Sequence, residues 1–273
     1  MTWTSLRIHP GGEREQVLAA LFAAGAQGVH EDGDDLVTHF PSEADVQAIV
    51  TAVHTAAPSA SWDLGVSDTT DWSVAWRDRI GAHDLGLVTI APPWLADGLD
   101  PARTVIIEPA MAFGTGDHPT TRGATRLLQR QMSPGLVVAD LGAGSAVLAI
   151  AAAKLGASRV FAIEYDGEAI SNAELNVRVN DVEGIVHVFE GDAGVLLPLV
   201  APVDLIVANI ISSVLVELLP AMSEALREGG RAVLAGILRE ERPSMLEALS
   251  ADGWRLIEED EEDVWWSATV ATR

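Results

Sequence analysis

Residues 136 to 180, LVVADLGAGSAVLAIAAAKLGASRVFAIEYDGEAISNAELNVRVN, constrain the fold more than any other part of the chain. The apolar run 136–139 leads to Asp140 and a loop of small residues, and 147–155 are rich in Ala, Leu and Ile. That order predicts strand, tight turn and buried helix. A second apolar run, 159–163, ends on Glu164. Two parallel strands linked by a helix, with glycines at the first strand's exit and a carboxylate at the second strand's end, form a site for a ribose-bearing ligand. The glycines let the backbone come close, and Glu164 can accept from two sugar hydroxyls.

The glycine spacing narrows the ligand. A dinucleotide fingerprint has Gly at the first, third and sixth positions, which here are Gly142, Gly144 and Val147. Val147 thus opposes an NAD-linked oxidoreductase and favours a ligand without phosphates. S-adenosylmethionine fits, with an adenosine for the carboxylate and a zwitterionic tail for the loop amides and the helix N-terminus. A turn before a packed helix, with no ligand, is the other reading of these residues alone. The segment resembles the class I methyltransferases, whose loop carries glycines matching Gly142, Gly144 and Ala146. Alanine at 146 costs about 1–2 kcal/mol if that position needs positive φ; if the glycine only makes room, a methyl intrudes less.

With 273 residues and 48% apolar content the chain can hold one large or two modest domains. Cysteine is absent, so disulfides and Cys-based metal sites are excluded, and no metal is expected. No apolar region of signal length follows Met1 and no run reaches about 18 apolar residues, so a cytoplasmic protein without membrane contact is expected. The net charge of −23 argues against direct nucleic-acid binding, which needs a basic footprint, and suits solubility or a basic protein partner. No heptad or self-pairing edge is evident, so a monomer is expected. The acidic run 258–263 reads as a solvated turn.

Upstream, residues 3–8 alternate like a strand and 13–24 carry apolar residues at helical spacing. Residues 29–31 and 36–40 flank an acidic turn, 42–56 read as a helix capped by Ser42, and 61–64 as a last strand. Strand, helix, two strands, helix, strand is the ferredoxin-like order. Residues 1–66 would then be a small α+β module for substrate recognition. Residues 68–80, with Trp72 and Trp76 four apart, read as a linker helix within 67–82, leaving 83–273 as the catalytic domain. Residues 85–90 look strand-like.

Residues 106–129, IIEPAMAFGTGDHPTTRGATRLLQ, read as a strand, a Gly-rich loop and a helix opened near Pro119. Such a loop can lie over a bound cofactor with Phe113 beside it, or be an ordinary capped loop. The element AFGTGDHPTT, some 20 residues before the cofactor loop, is similar to one carried by the PrmA family of ribosomal protein methyltransferases, which modify amines of a large-subunit ribosomal protein. The Val-Ala-Asn-Ile at 207–210 also resembles that family, and the likeness covers essentially the whole chain.

The resemblance implies a class I Rossmann-like sheet of seven strands, counted from Val137 onward and ending in an antiparallel hairpin. It also implies S-adenosylmethionine as cofactor, with Thr121, Gly142, Gly144, Glu164 and Asn209 at its pocket and Phe113 and Gly114 bordering it. Asp192, just past the third strand, is a candidate for the adenine amino group or a cap of the next turn. Asn209, at the end of a buried strand, points where ligands sit in such sheets and can orient an amine. Departures from the family pattern are Ala110, Ala146, Asp117 and Glu164, the last standing for the usual Asp. The chemistry implied is attack of a substrate amine on the sulfonium methyl, with Asn209 and Phe113 as catalytic candidates. A lysine with a pKa of about 10.4 costs roughly 4.6 kcal/mol to neutralise at pH 7, whereas positioning supplies roughly 7–11 kcal/mol. No dedicated base is required, although His118 could serve as one. Other readings are a methyltransferase for another protein lysine or a small molecule, and a cofactor-binding protein without activity.

Overall fold

A computed structural model describes residues 3–26, 29–33, 35–41, 44–67, 80–109 and 114–273. The expected linker helix with Trp72 and Trp76, the Ser42 cap, Ala110 and Phe113 all lie outside the described residues, except for Ile80 at the end of the linker. The chain divides into two compact units, Met1–Arg79 and Ile80–Arg273.

The first unit runs β1 (Trp3–His9), α1 (Arg14–Ala23), β2 (His30–Asp32), β3 (Asp35–Pro41), α2 (Val46–Ala56) and β4 (Ser61–Ser67). Its sheet has the order β2-β3-β1-β4 with every pair antiparallel, the split βαβ arrangement. Leu6 and Ile8 alternate along β1 toward the helices and are fully buried with Val17, Leu21 and Val53. The cap of α2 is Asp45, whose carboxylate accepts from the Ala48 N–H at 3.0 Å. That helix starts later than expected.

The second unit opens with a small sheet, β5 (His83–Asp84), β6 (Thr89–Ala91) and β7 (Thr104–Ile106). Of the strand expected over 85–90 only 89–90 is extended, within β6: Leu85 donates to the Val88 carbonyl at 3.0 Å and turns the chain between β5 and β6. Next come α3 (Pro119–Gln131), β8 (Val137–Leu141), α4 (Val147–Lys154), β9 (Arg159–Glu164), α5 (Gly167–Val179), β10 (Val186–Glu190) and α6 (Ala193–Val200). The chain ends with β11 (Val203–Asn209), α7 (Ser212–Ala225), β12 (Leu226–Leu238), α8 (Arg242–Ala251), β13 (Trp254–Glu262) and β14 (Trp265–Thr272).

The seven strands lie in the order β10-β9-β8-β11-β12-β14-β13, parallel through β12 and antiparallel thereafter. Along β11, Leu205 and Val207 face one core while Ile206 and Ala208 face the other, so the strand is buried on both sides and reads as a continuous apolar run. From β8 the chain builds outward through β9 and β10, then returns to lay β11 on β8's other flank. The crevice at that reversal is where an open α/β sheet binds its ligand. Residues 228–230 lie inside β12. The register with β11 shifts there, Val203 facing Leu226 and Leu205 facing Arg231.

The acidic run is not a solvated turn. Glu258, Asp260 and Glu262 project from β13 toward Arg130, Arg126 and Arg122 of α3. Four residues of helix advance about 6 Å and two of strand about 6.7 Å, so the two charge rows match. The spacing of each row is visible in the sequence; their pairing across more than 125 residues is not.

Candidate active site

The cofactor loop between β8 and α4 is shaped by its glycines and by one exception. Gly142 has φ 69°, and a Cβ there would lie 2.3 Å from the Ile210 side chain, so the position needs glycine for both conformation and space. Ala146, the N-cap of α4, has φ 65° and ψ 21°. The third loop position thus does require the left-handed region.

Glu164 ends β9 half-buried, its carboxylate already oriented by two backbone donors: Gly144 at 2.7 Å on Oε2 and Asp166 at 2.8 Å on Oε1. Each oxygen keeps one acceptor site. The longer side chain of Glu, relative to Asp, reaches across to the Gly144 amide. Asp192, two residues past β10, caps α6, accepting from Gly194 at 2.7 Å and Val195 at 3.3 Å. The expected cap is thus present, and the residue also lines the cleft.

Asn209 closes β11. Its Nδ2 donates to the buried Thr121 hydroxyl at 3.4 Å, while its Oδ1 is buried without a hydrogen-bond partner. Thr121 is held in turn by α3, where its carbonyl accepts from the Thr125 hydroxyl at 2.7 Å. His118 caps that helix, Nδ1 meeting the Thr120 hydroxyl at 2.8 Å and its ring lying edge-on to Trp265 at 5.0 Å. Burial, then the Arg122 charge, holds its pKa below the ordinary imidazole value. Asp117 accepts from His83 at 2.7 Å and Gly81 at 3.1 Å.

Two hollows open on this crevice. The larger, about 550 Å³, has apolar walls of Ile163, Val214 and Leu218 and an acidic rim of Glu164, Asp192 and Glu217. The smaller, about 200 Å³, is bounded by Gly114, Gly142, Gly144, Val147, Glu164 and Asn209. Gly142, Glu164 and Ile210 border both. The structure therefore brings Gly142, Gly144, Glu164, Asp192 and Asn209 around one cleft, with Thr121 behind Asn209; Phe113 is outside the described residues. Sequence reading missed the wall formed by Ile210, Val214 and Leu218. Their spacing of four was visible but is equally the spacing of a core face. Among the described residues no cluster of three or more metal-ligating side chains occurs, and no helix is long and apolar enough to cross a membrane.

Residues 19–273 match the model of the family described as ribosomal protein L11 methyltransferase (PrmA). A relative from Thermus thermophilus, named ribosomal protein L11 methyltransferase, is 38% identical over 252 residues, covering 92% of each chain. One of the same name from Synechococcus sp. (strain RCC307) is 33% identical, covering 97% of this chain and 95% of its own. Among solved structures, a ribosomal protein L11 methylase from Lactobacillus delbrueckii subsp. bulgaricus superposes with a TM-score of 0.64 at 30% identity, over 70% of this chain and 98% of that one.

Proposed function

The chain belongs to the PrmA family of ribosomal protein L11 methyltransferases, and from that premise we propose that it transfers methyl groups from S-adenosylmethionine to amines of that large-subunit ribosomal protein. The observation that carries this reading is the Asn209 amide. A buried carbonyl oxygen without a partner is costly, and the residue that carries it borders the smaller hollow beside Gly114, Gly142 and Gly144. It is an acceptor waiting for an N–H.

The cleft suits S-adenosylmethionine in shape and charge. The larger hollow, apolar-walled with carboxylates at its rim, suits a flat base with an exocyclic amine, and Glu164 retains acceptor capacity for two ribose hydroxyls. The loop amides and the start of α4 favour a carboxylate. When bound, the cofactor supplies an electrophilic methyl on a sulfonium. The chain's own part is to hold the neutral amine: Asn209 Oδ1 accepts one N–H, which aims the nitrogen lone pair away from the amide and into the cleft. The amine proton leaves to water. His118, engaged as a helix cap, is not required as base.

The test is labelled methyl transfer to ribosomal subunits from cells lacking this protein, with binding of S-adenosylmethionine and of NAD measured by calorimetry. The expected result is binding of S-adenosylmethionine alone and a single labelled ribosomal protein. Asn209→Ala should lower kcat at least about 100-fold while cofactor affinity changes only a few-fold. A folded protein that binds the cofactor and labels no ribosomal protein sinks the substrate assignment.

A further inference from the structure

Three asparagines, Asn172, Asn176 and Asn180, recur every fourth residue on the buried side of α5 and its cap, yet polar amides are poor currency in a core. Their partners explain them. Asn180 accepts from the Ile106 N–H at 2.8 Å and donates to the Ile106 carbonyl at 2.6 Å. That is the donor and acceptor pair a neighbouring strand would offer. Asn172 donates to the Glu108 carbonyl at 3.0 Å.

Asn176, fully buried, does something different. Its Oδ1 accepts from the Glu108 N–H at 2.8 Å, and its Nδ2 donates to the Ser145 carbonyl at 3.0 Å in the cofactor loop. The Ser145 hydroxyl, also buried, donates to the Gly114 carbonyl at 2.7 Å. Gly114 has φ 104°, and a Cβ there would stand 2.8 Å from that hydroxyl, so the approach depends on glycine. One connected strut thus runs Glu108, Asn176, Ser145, Gly114. It ties both residues that flank the 109–113 segment to the loop whose Gly144 borders the smaller hollow.

We propose that Asn176 and Ser145 are positioning residues for methyl transfer, acting as a single clamp that holds Glu108 and Gly114 in register with the cofactor loop. The inference rests on the activity proposed above and touches neither cofactor nor substrate directly. Residues in one hydrogen-bonded strut act as a unit, so their losses do not multiply.

The experiment uses the full chain carrying Ser145→Ala, Asn176→Asp and both together. Ser145→Ala removes only the hydroxyl, and Asn176→Asp keeps the acceptor for Glu108 while setting an oxygen against the Ser145 carbonyl. Melting temperature, the dissociation constant for S-adenosylmethionine and kcat for labelling the ribosomal protein are measured. Each single variant should weaken cofactor binding and lower kcat about tenfold. KM for the ribosomal protein should stay unchanged, and the double variant should be no worse than the poorer single. The proposal is overturned if folded Ser145→Ala keeps cofactor affinity and kcat within twofold of wild type and only melts earlier, or if the two losses multiply. Should Asn176→Asp fail to fold, Ser145→Ala alone decides. If the wild-type protein binds cofactor but labels no ribosomal protein, the activity reading fails, and the affinity comparison still tests the clamp.

Discussion

At position 146 the chain keeps an alanine in the left-handed region with its methyl wholly buried, and its tolerance follows from opposed contributions. Glycine there would relieve about 1–2 kcal/mol of strain. It would also cost about 0.4–1 kcal/mol through the freer unfolded chain and about 0.8 kcal/mol of lost burial. Ala146→Gly should therefore leave stability within about 1 kcal/mol of wild type in urea unfolding. Ala146→Val, β-branched at the same φ and without space, should lose about 3 kcal/mol. Asp140 is the other residue with a cost to be measured. Its side chain leaves β8 on the Val138 face, fully enclosed, with Oδ2 accepting from Ala149 at 2.9 Å and Oδ1 unpartnered. Burial pushes its carboxyl up to about 7; the Ala149 N–H pulls it back and the Glu164 charge adds to the rise. With the folded pKa above the unfolded one, the folded state holds the extra proton. Its contribution is complete below the unfolded pKa near 3.8 and is lost as pH rises to about 7. Comparing Asp140→Asn with wild type by urea unfolding at pH 5 and pH 8, the difference should move by about 2–3 kcal/mol in the variant's favour at the higher pH. An unchanged difference would mean the carboxyl titrates normally.

The rows of charge on α3 and β13 belong to the scale of elements, since no single pair explains them. Arg126 lies between Asp260 and Glu262, contacting the latter at 2.8 Å, and all three side chains are mostly buried. Burial raises the Glu262 pKa, but hydrogen bonds from Arg122 and Arg126 outweigh it and hold the carboxyl below its ordinary range. That part of the stability is present above the unfolded pKa and fades as pH falls through the folded one. Arg126→Met leaves Asp260 without its cation, Glu262 keeping Arg122, and should cost about 2–3 kcal/mol in urea unfolding. Arg178→Met, whose exposed partner Glu174 is 3.8 Å away, should change stability by less than about 0.5 kcal/mol. The contrast also shows what was legible beforehand. Elements whose signal is local, such as the buried run of β11 or the Ala-rich α4, were readable because burial on both faces leaves a mark in consecutive residues. The acidic strand was misread because its partners sit on a helix more than 125 residues earlier. The asparagines of α5 went unread because their partners are backbone groups of Ile106 in β7, of Glu108 just past it and of the cofactor loop, which no side-chain pattern announces. Around the cleft, Asn209 and Glu164 were legible because strand ends in such sheets are where ligands bind, but the unpartnered Oδ1 and the amide-held carboxylate needed coordinates.

At the scale of the whole chain, the described residues that line the cleft fall within Ile80–Arg273, which has its own two cores, one on each face of the seven-stranded sheet. Met1–Arg79 has a separate core and contributes none of the cleft-lining side chains named above. Ribosomal protein L11 methyltransferases act on a protein, whose reactive amine must be found among many. If the first unit docks that protein, cofactor binding and substrate capture are separable properties of one chain. A protein comprising residues 80–273 should then bind S-adenosylmethionine within about threefold of the full chain. Its kcat/KM for the ribosomal protein should fall at least about 100-fold, through KM, because lost docking removes binding that ground and transition states share. Equal kcat/KM for the two proteins, with matched cofactor affinity, would place recognition in the catalytic unit. Loss of cofactor binding in a folded 80–273 chain would show that the first unit supports the cleft itself.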